Sequence, residues 1–145
     1  MISRLLLPAI ASVLLASCSA YHADFAQAVN ALPAAPDSPT GPWKGRWVSQ
    51  ANGHEGALWC VISPAQGDAY DFRYRAGWAK FQFGDYTHTC PVQKKADGSF
   101  VLESAMKLPG EWGTYTIRGT ISPTEFDATY TSDTGDRGTM KLRRP

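Results

Sequence analysis

Histidines, cysteines and a few carboxylates are the side chains of this sequence that could carry chemistry, and their spacing limits what that chemistry can be. His54-Glu55 follows Asn52-Gly53, which brings an imidazole, a carboxylate and an amide together, so Asn52, His54 and Glu55 form the candidate polar site. His22 lies far upstream, and His88 stands just before Cys90. No H-x-H or H-E-x-x-H spacing supports a metal site. No G-x-S-x-G elbow supports a nucleophilic serine, and the glycines punctuate turns instead of opening a helix around phosphate. The carboxylate pairs Asp133/Asp136 and Glu125/Asp127 read as turn and solvent-face residues. The expectation is a chain that is not an enzyme and uses no cofactor and no metal.

Cys18 stands apart from the other cysteines. Arg4 supplies a short positive region, Leu5 to Leu15 an apolar run, and Leu15-Ala16-Ser17-Cys18 closes it with small residues before a thiol. The run is too short to span a bilayer as a helix, which takes about 20 residues. This order resembles the lipobox of bacterial lipoproteins. The resemblance implies a signal peptide over 1–17, a diacylglyceryl thioether on Cys18, and acylation (palmitate) of the new amino group. It also implies a place in the bacterial cell envelope. Ser19 after the cysteine goes, in the resembled Gram-negative family, with sorting to the outer membrane, facing the periplasm. An ordinary secretory signal cut after Ala20 is the alternative. Lipidation of Cys18 would leave Cys60 and Cys90 as an even pair in a compartment that permits disulfides, so a Cys60–Cys90 bridge is expected, the alternative being two buried free thiols.

Charge removes one class of partner. With Arg4 lost from the 14 basic residues, 13 basic face 13 acidic side chains, which leaves no electrostatic footprint for nucleic acid. Residues 18–42 read as a tether, because Pro33, Pro36, Pro39 and Pro42 can sustain neither a helix nor a ladder. Extended, it would reach roughly 70–80 Å from the membrane at ~3.1 Å per residue. Within it Tyr21, Phe25, Ala28/Val29 and Leu32 recur at helical spacing, so Asp24 to Leu32 can form a short amphipathic helix.

From Trp43 the period becomes two, with turn signals at Asn52-Gly53, Gly67-Asp68, Asp97-Gly98, Pro109-Gly110 and Asp133–Asp136. The segments between them predict eight strands: Trp43–Gln50, Glu55–Ser63, Ala69–Trp78, Lys80–Gln93, Ser99–Leu108, Trp112–Ser122, Glu125–Ser132 and Arg137–Arg143. Tyr70, Phe72, Tyr74, Ala76 and Trp78 share one face, and Phe81 and Phe83 continue it. Gly84 marks a bulge that moves the inward set to Tyr86, His88 and Cys90. The expected fold of 43–145 is all-β, an eight-stranded antiparallel up-and-down barrel, with a two-sheet sandwich as the alternative.

Gly45-Arg46-Trp47 resembles the G-x-W element of lipocalins and the wider calycin group. The resemblance implies a Trp closing one barrel end, with Arg143 or Arg144 packed on its ring, and a small apolar ligand or lipid bound inside. Trp47, Tyr74, Tyr115 and Tyr130 are the candidate ligand contacts. A second resemblance is to small periplasmic inhibitors of secreted metalloproteases, barrels with one disulfide and an early Trp, in which an N-terminal segment enters the protease cleft. The functional expectation is a membrane-anchored, non-catalytic binding module. The alternative is a protein-interaction module, such as a periplasmic protease inhibitor or an envelope-assembly accessory.

Overall fold

The computed structural model describes residues 20–31 and 37–145; the expected signal segment 1–17, Cys18 and Leu32 lie outside them. Alternation of apolar and polar residues drives nine antiparallel strands: β1 Gly41–Ser49, β2 Glu55–Pro64, β3 Ala69–Trp78, β4 Phe81–Pro91, β5 Gln93–Lys94, β6 Phe100–Lys107, β7 Thr114–Ile121, β8 Glu125–Ser132 and β9 Arg137–Arg143. They form one sheet in the order β4-β3-β2-β1-β9-β8-β7-β6-β5, curled into a half-barrel. The expected eight strands become nine because Val92, whose N–H bonds to Asp68 O, breaks the fourth predicted strand. Beyond it Gln93 and Lys94 pair with Val101 and Phe100 on the far edge of the sheet. The two edges are therefore joined by the chain itself at that end. Elsewhere β4 and β6 approach each other with no ladder between them among the described residues.

Bulge formation at Gly84 follows the expectation. Tyr74 faces Tyr86 and Ala76 faces Phe83, so Gly84 and Asp85 together oppose the single Arg75. Gly84 takes φ +79, a conformation side chains disfavour, and an added Cβ would strike the Tyr86 ring. The extra residue re-aims the strand: Asp85 turns outward and Tyr86 inward.

Arg73 meets Asp85 on that outer face. Its Nε and Nη2 donate to the two Asp85 oxygens at 2.6 and 2.7 Å, and Nη1 donates to Asp24 at 2.7 Å. Asp24 belongs to a helix, α1, over residues 20–30. The helix starts four residues before the predicted one and packs on the outer wall of β2–β4. Tyr21 is fully buried, its hydroxyl donating to Arg73 O at 3.1 Å and its ring lying 5.0 Å under the Arg73 guanidinium. His22 stands edge-on to Trp59 and bonds to Gln82. Residues expected to act as a free spacer are thus spent on the barrel wall. Hydrogen bonding to Arg73 holds the Asp85 carboxyl below its ordinary range, against the opposing effect of partial burial.

Cys60 and Cys90, expected as a disulfide, are instead two buried free thiols. Cys60 pairs with Tyr74 and Cys90 with Tyr70, so the whole of β3 lies between them. Two strand spacings, roughly 10 Å, exceed the ~7 Å over which Cα atoms can be bridged. Burial raises the pKa of both thiols, and the Cys90 thiol adds to the rise at Cys60.

One end of the half-barrel is filled. Trp43, Ile62, Phe72, Ile121, Phe126 and Leu142 are each no more than 2% exposed there. Arg144 caps this end, its guanidinium 4.3 Å from the Trp43 ring centroid. The fork donates to Ser38 O and Thr40 O at 2.7 Å and to Pro123 O at 3.1 Å, while Trp43 Nε1 donates to Pro39 O at 2.9 Å. The closing Trp is therefore Trp43, in Gly41-Pro42-Trp43, and not Trp47. Both tryptophans point inward, and only the first reaches the end where the C-terminus arrives.

Two outcomes test this account. Arg144→Met, which keeps an apolar stem on Trp43 but deletes the fork, should lower stability by about 2–4 kcal/mol in urea unfolding, and Arg144→Lys should recover little of it; a loss below about 0.5 kcal/mol would remove the cap from the account. Because Asp85 is depressed in the folded chain, its stabilisation is fully present above the unfolded carboxylate pKa of about 3.9 and is lost as pH falls through the lower folded value. Hydrogen exchange of residues 20–30, corrected for intrinsic rates, should therefore lose protection below about pH 4, and unchanged protection down to about pH 2 would show that the ion pair does not hold α1.

Candidate ligand-binding site

The other end of the half-barrel is hollow. A cavity of about 140 Å³ lies there, its wall almost wholly apolar, with Trp47, Leu58, Tyr74 and Ala76 on one side and Met106, Tyr115, Tyr130 and Met140 on the other. All four residues singled out from the sequence, Trp47, Tyr74, Tyr115 and Tyr130, line this one space. They come from β1, β3, β7 and β8, and inward parity at the same end brings them together.

Trp47 is held by a missing side chain. Its register partner on β2 is Gly56, and the indole passes over that strand so that Nε1 donates to Gly77 O at 3.0 Å. A Cβ on Gly56 would run into Gly77 O and crowd Trp47 Nε1. Tyr115 and Tyr130 pack ring against ring with centroids 5.7 Å apart.

Asp136 gives the cavity its one charged group. Oδ1 accepts from Ser49 Oγ at 2.6 Å and Oδ2 from Tyr115 Oη at 3.2 Å. Ser49 is 2% exposed, and its Oγ also accepts from Ala51 N, so the same hydroxyl ties the β1–β2 turn to the β8–β9 turn. Tyr130 Oη is sealed from water beside Ser49 without completing a hydrogen bond. Burial, then the nearby Asp136 charge, pushes the Tyr130 phenol up to about 12, and the same two causes raise Tyr115. The sequence reading placed Asp136 in a solvent-face turn. Its partner Ser49 is 87 residues away, and nothing local announces the pair.

Phe83, Tyr86, Leu108 and Trp112 complete the wall where β4 faces β6. Trp112, in a short 3-10 turn over Gly110–Trp112, stacks on Phe83 at 5.9 Å. It lines the cavity and is still 55% exposed, so it stands at the mouth.

Asn52, His54 and Glu55 turn to three separate partners. Asn52 Oδ1 accepts from His54 N at 2.9 Å and shapes the β1–β2 turn. The His54 ring lies against Trp78 with centroids 4.8 Å apart, and Glu55 pairs with Arg46 at 3.3 Å on the surface. Trp78 and Phe81, expected to face inward, are 43% and 71% exposed at the β3–β4 hairpin. They are the last ladder pair of that hairpin, at the end of the sheet where its inner face runs out.

Ser49→Ala should cost about 1–2 kcal/mol in denaturant unfolding, because Asp136 loses its shorter bond and the turn amides lose their acceptor. Tyr130→Phe, which deletes an unmatched hydroxyl, should leave stability within about 0.5 kcal/mol or raise it. Equal losses in the two variants would contradict this assignment of partners.

Among the described residues no group of His, Cys, Asp or Glu is gathered to hold a metal, and no helix is long and apolar enough to cross a membrane. Comparison of the chain with known protein families, with curated proteins and with solved structures finds no match.

Proposed function

We propose that this chain is a lipid-anchored envelope lipoprotein whose lipocalin-like barrel binds, without catalysis, a small apolar ligand or one end of a lipid. The observation that carries the reading is the apolar cavity at the end opposite Arg144. Support for lipocalin-like architecture comes from Trp43 under the Arg144 guanidinium at the filled end. Support for binding over reaction comes from Asp136, whose two oxygens are already engaged as acceptors from Ser49 and Tyr115.

Cavity size sets the ligand class. A cavity of about 150 Å³ lined by aliphatic and aromatic side chains accommodates benzene, whereas sites for drug-sized ligands run to roughly 300–1,000 Å³. A single ring or the last few carbons of a chain therefore fit, and anything longer leaves past Trp112. Burying about six methylene equivalents at ~0.8 kcal/mol each gives ~5 kcal/mol, a dissociation constant on the order of 0.1–1 mM for an occupant held only by the cavity. Asp136 on the wall disfavours a carboxylate head and favours a hydroxyl or amine donor. The protease-inhibitor alternative needs a free N-terminal segment, and here α1 is packed on β2–β4.

Titration with an uncharged aryl or short alkyl alcohol should give a saturable change in tryptophan fluorescence. The carboxylic acid of the same length should bind at least about tenfold more weakly at neutral pH. Ala76→Leu, which fills the cavity, should abolish the signal while leaving the unfolding midpoint unchanged or higher. A response that is linear in ligand, or indifferent to Ala76→Leu, overturns the binding reading. Intact mass tests the address separately: a diacylglyceryl adduct on Cys18 is expected, and an unmodified chain beginning at Tyr21 removes the lipoprotein reading.

A further inference from the structure

Three large apolar side chains are left exposed among the described residues: Trp78 at 43%, Phe81 at 71% and Trp112 at 55%. All three stand at the hollow end. Trp78 and Phe81 are register partners across the two-residue turn Ala79-Lys80, so one hairpin tip carries both exposed rings and the exposed Lys80. Ala79 holds φ +52 in that turn, a conformation residues other than glycine seldom adopt. Trp112 joins them through Phe83, the next inward residue on β4. Aromatic rings beside a lysine suit the boundary of a bilayer, where indoles sit at headgroup depth and ammonium groups meet lipid phosphates.

The start of α1 lies beside the same hairpin. His22 bonds to Gln82, which follows Phe81, and Trp59, Phe81 and Gln82 line one surface groove there. Cys18 precedes His22 by four residues. The described chain meets the hairpin side of the rim through His22, and four residues span at most ~14 Å, so a lipid on Cys18 would be held to that side by a short leash. The geometry points to a membrane-docking face: the β3–β4 hairpin, with Trp78, Lys80 and Phe81, and the Trp112 turn rest on the bilayer that holds the Cys18 lipid, and the cavity mouth faces that bilayer. This rests on the reading of Cys18 as lipidated, and the occupant is the anchoring membrane itself.

Full-length protein carrying its lipid, reconstituted in phosphatidylethanolamine–phosphatidylglycerol vesicles with brominated acyl chains, tests the inference. Bromine should quench part of the tryptophan emission, and the quenched fraction should fall about twofold or more in Trp78→Phe/Trp112→Phe. A nitroxide on Lys80→Cys supplies a second readout should the double variant not fold; Cys60 and Cys90 are buried and free, so the label goes to the hairpin. That label should be more accessible to oxygen than to an aqueous nickel chelate. Protein whose mass shows the lipid but whose quenching is absent, or whose label is exposed to nickel, overturns the docking face and leaves the lipoprotein reading intact. A mass without lipid overturns both. Cross-links between Lys80 of two chains with no quenching assign the rim to a second copy and overturn the inference.

Discussion

Joining of the first and last strands is the constraint on which the rest of the half-barrel depends. β1 pairs with β2 on one side and β9 on the other, so the sheet is continuous only because the last strand returns beside the first. Arg144 follows that last strand, and its three carbonyl acceptors come from the entry into β1 and from the β7–β8 turn. One side chain thus ties the entry, the exit and a distant hairpin over the face of Trp43. A planar cation with five donors can do this; a point charge on a flexible stem cannot.

Closure at one end determines what the other end can be. Large rings consumed around Trp43 and Phe126 leave the opposite half to be walled by Ala76, Met106, Met140 and tyrosines, which do not meet across the middle. The hollow end would splay without a brace, and Ser49 with Asp136 supplies one by linking the turns of β1–β2 and β8–β9. The brace also places the single charged group on the cavity wall.

Most of the strand framework was legible because period-two alternation and turn residues act locally. Gly84 could be read as a bulge because Phe81 and Phe83 lie out of phase with Tyr86, His88 and Cys90. Trp47, Tyr74, Tyr115 and Tyr130 could be read as inward, though not as neighbours, since parity gives the face and only register gives the height. The same gap explains the errors. Gly41-Pro42-Trp43 and Gly45-Arg46-Trp47 have identical parity, and which tryptophan meets the C-terminal arginine depends on where β9 ends. Cys60 and Cys90 both point inward, and only pairing through β3 shows that a strand divides them. Docking of α1 depends on Arg73 and Asp85, which alternation assigns to solvent.

The unladdered line between β4 and β6 has one more consequence. Elsewhere in the wall, widening the barrel would mean breaking backbone hydrogen bonds in a row. Along this line, among the described residues, side chains such as Phe83 and Trp112 hold the flanks together, while Val92 keeps them hinged by the chain at the filled end. The cavity volume is therefore that of a shut purse whose clasp is a pair of stacked rings. Parting those rings would widen the cavity sideways with every strand ladder left whole.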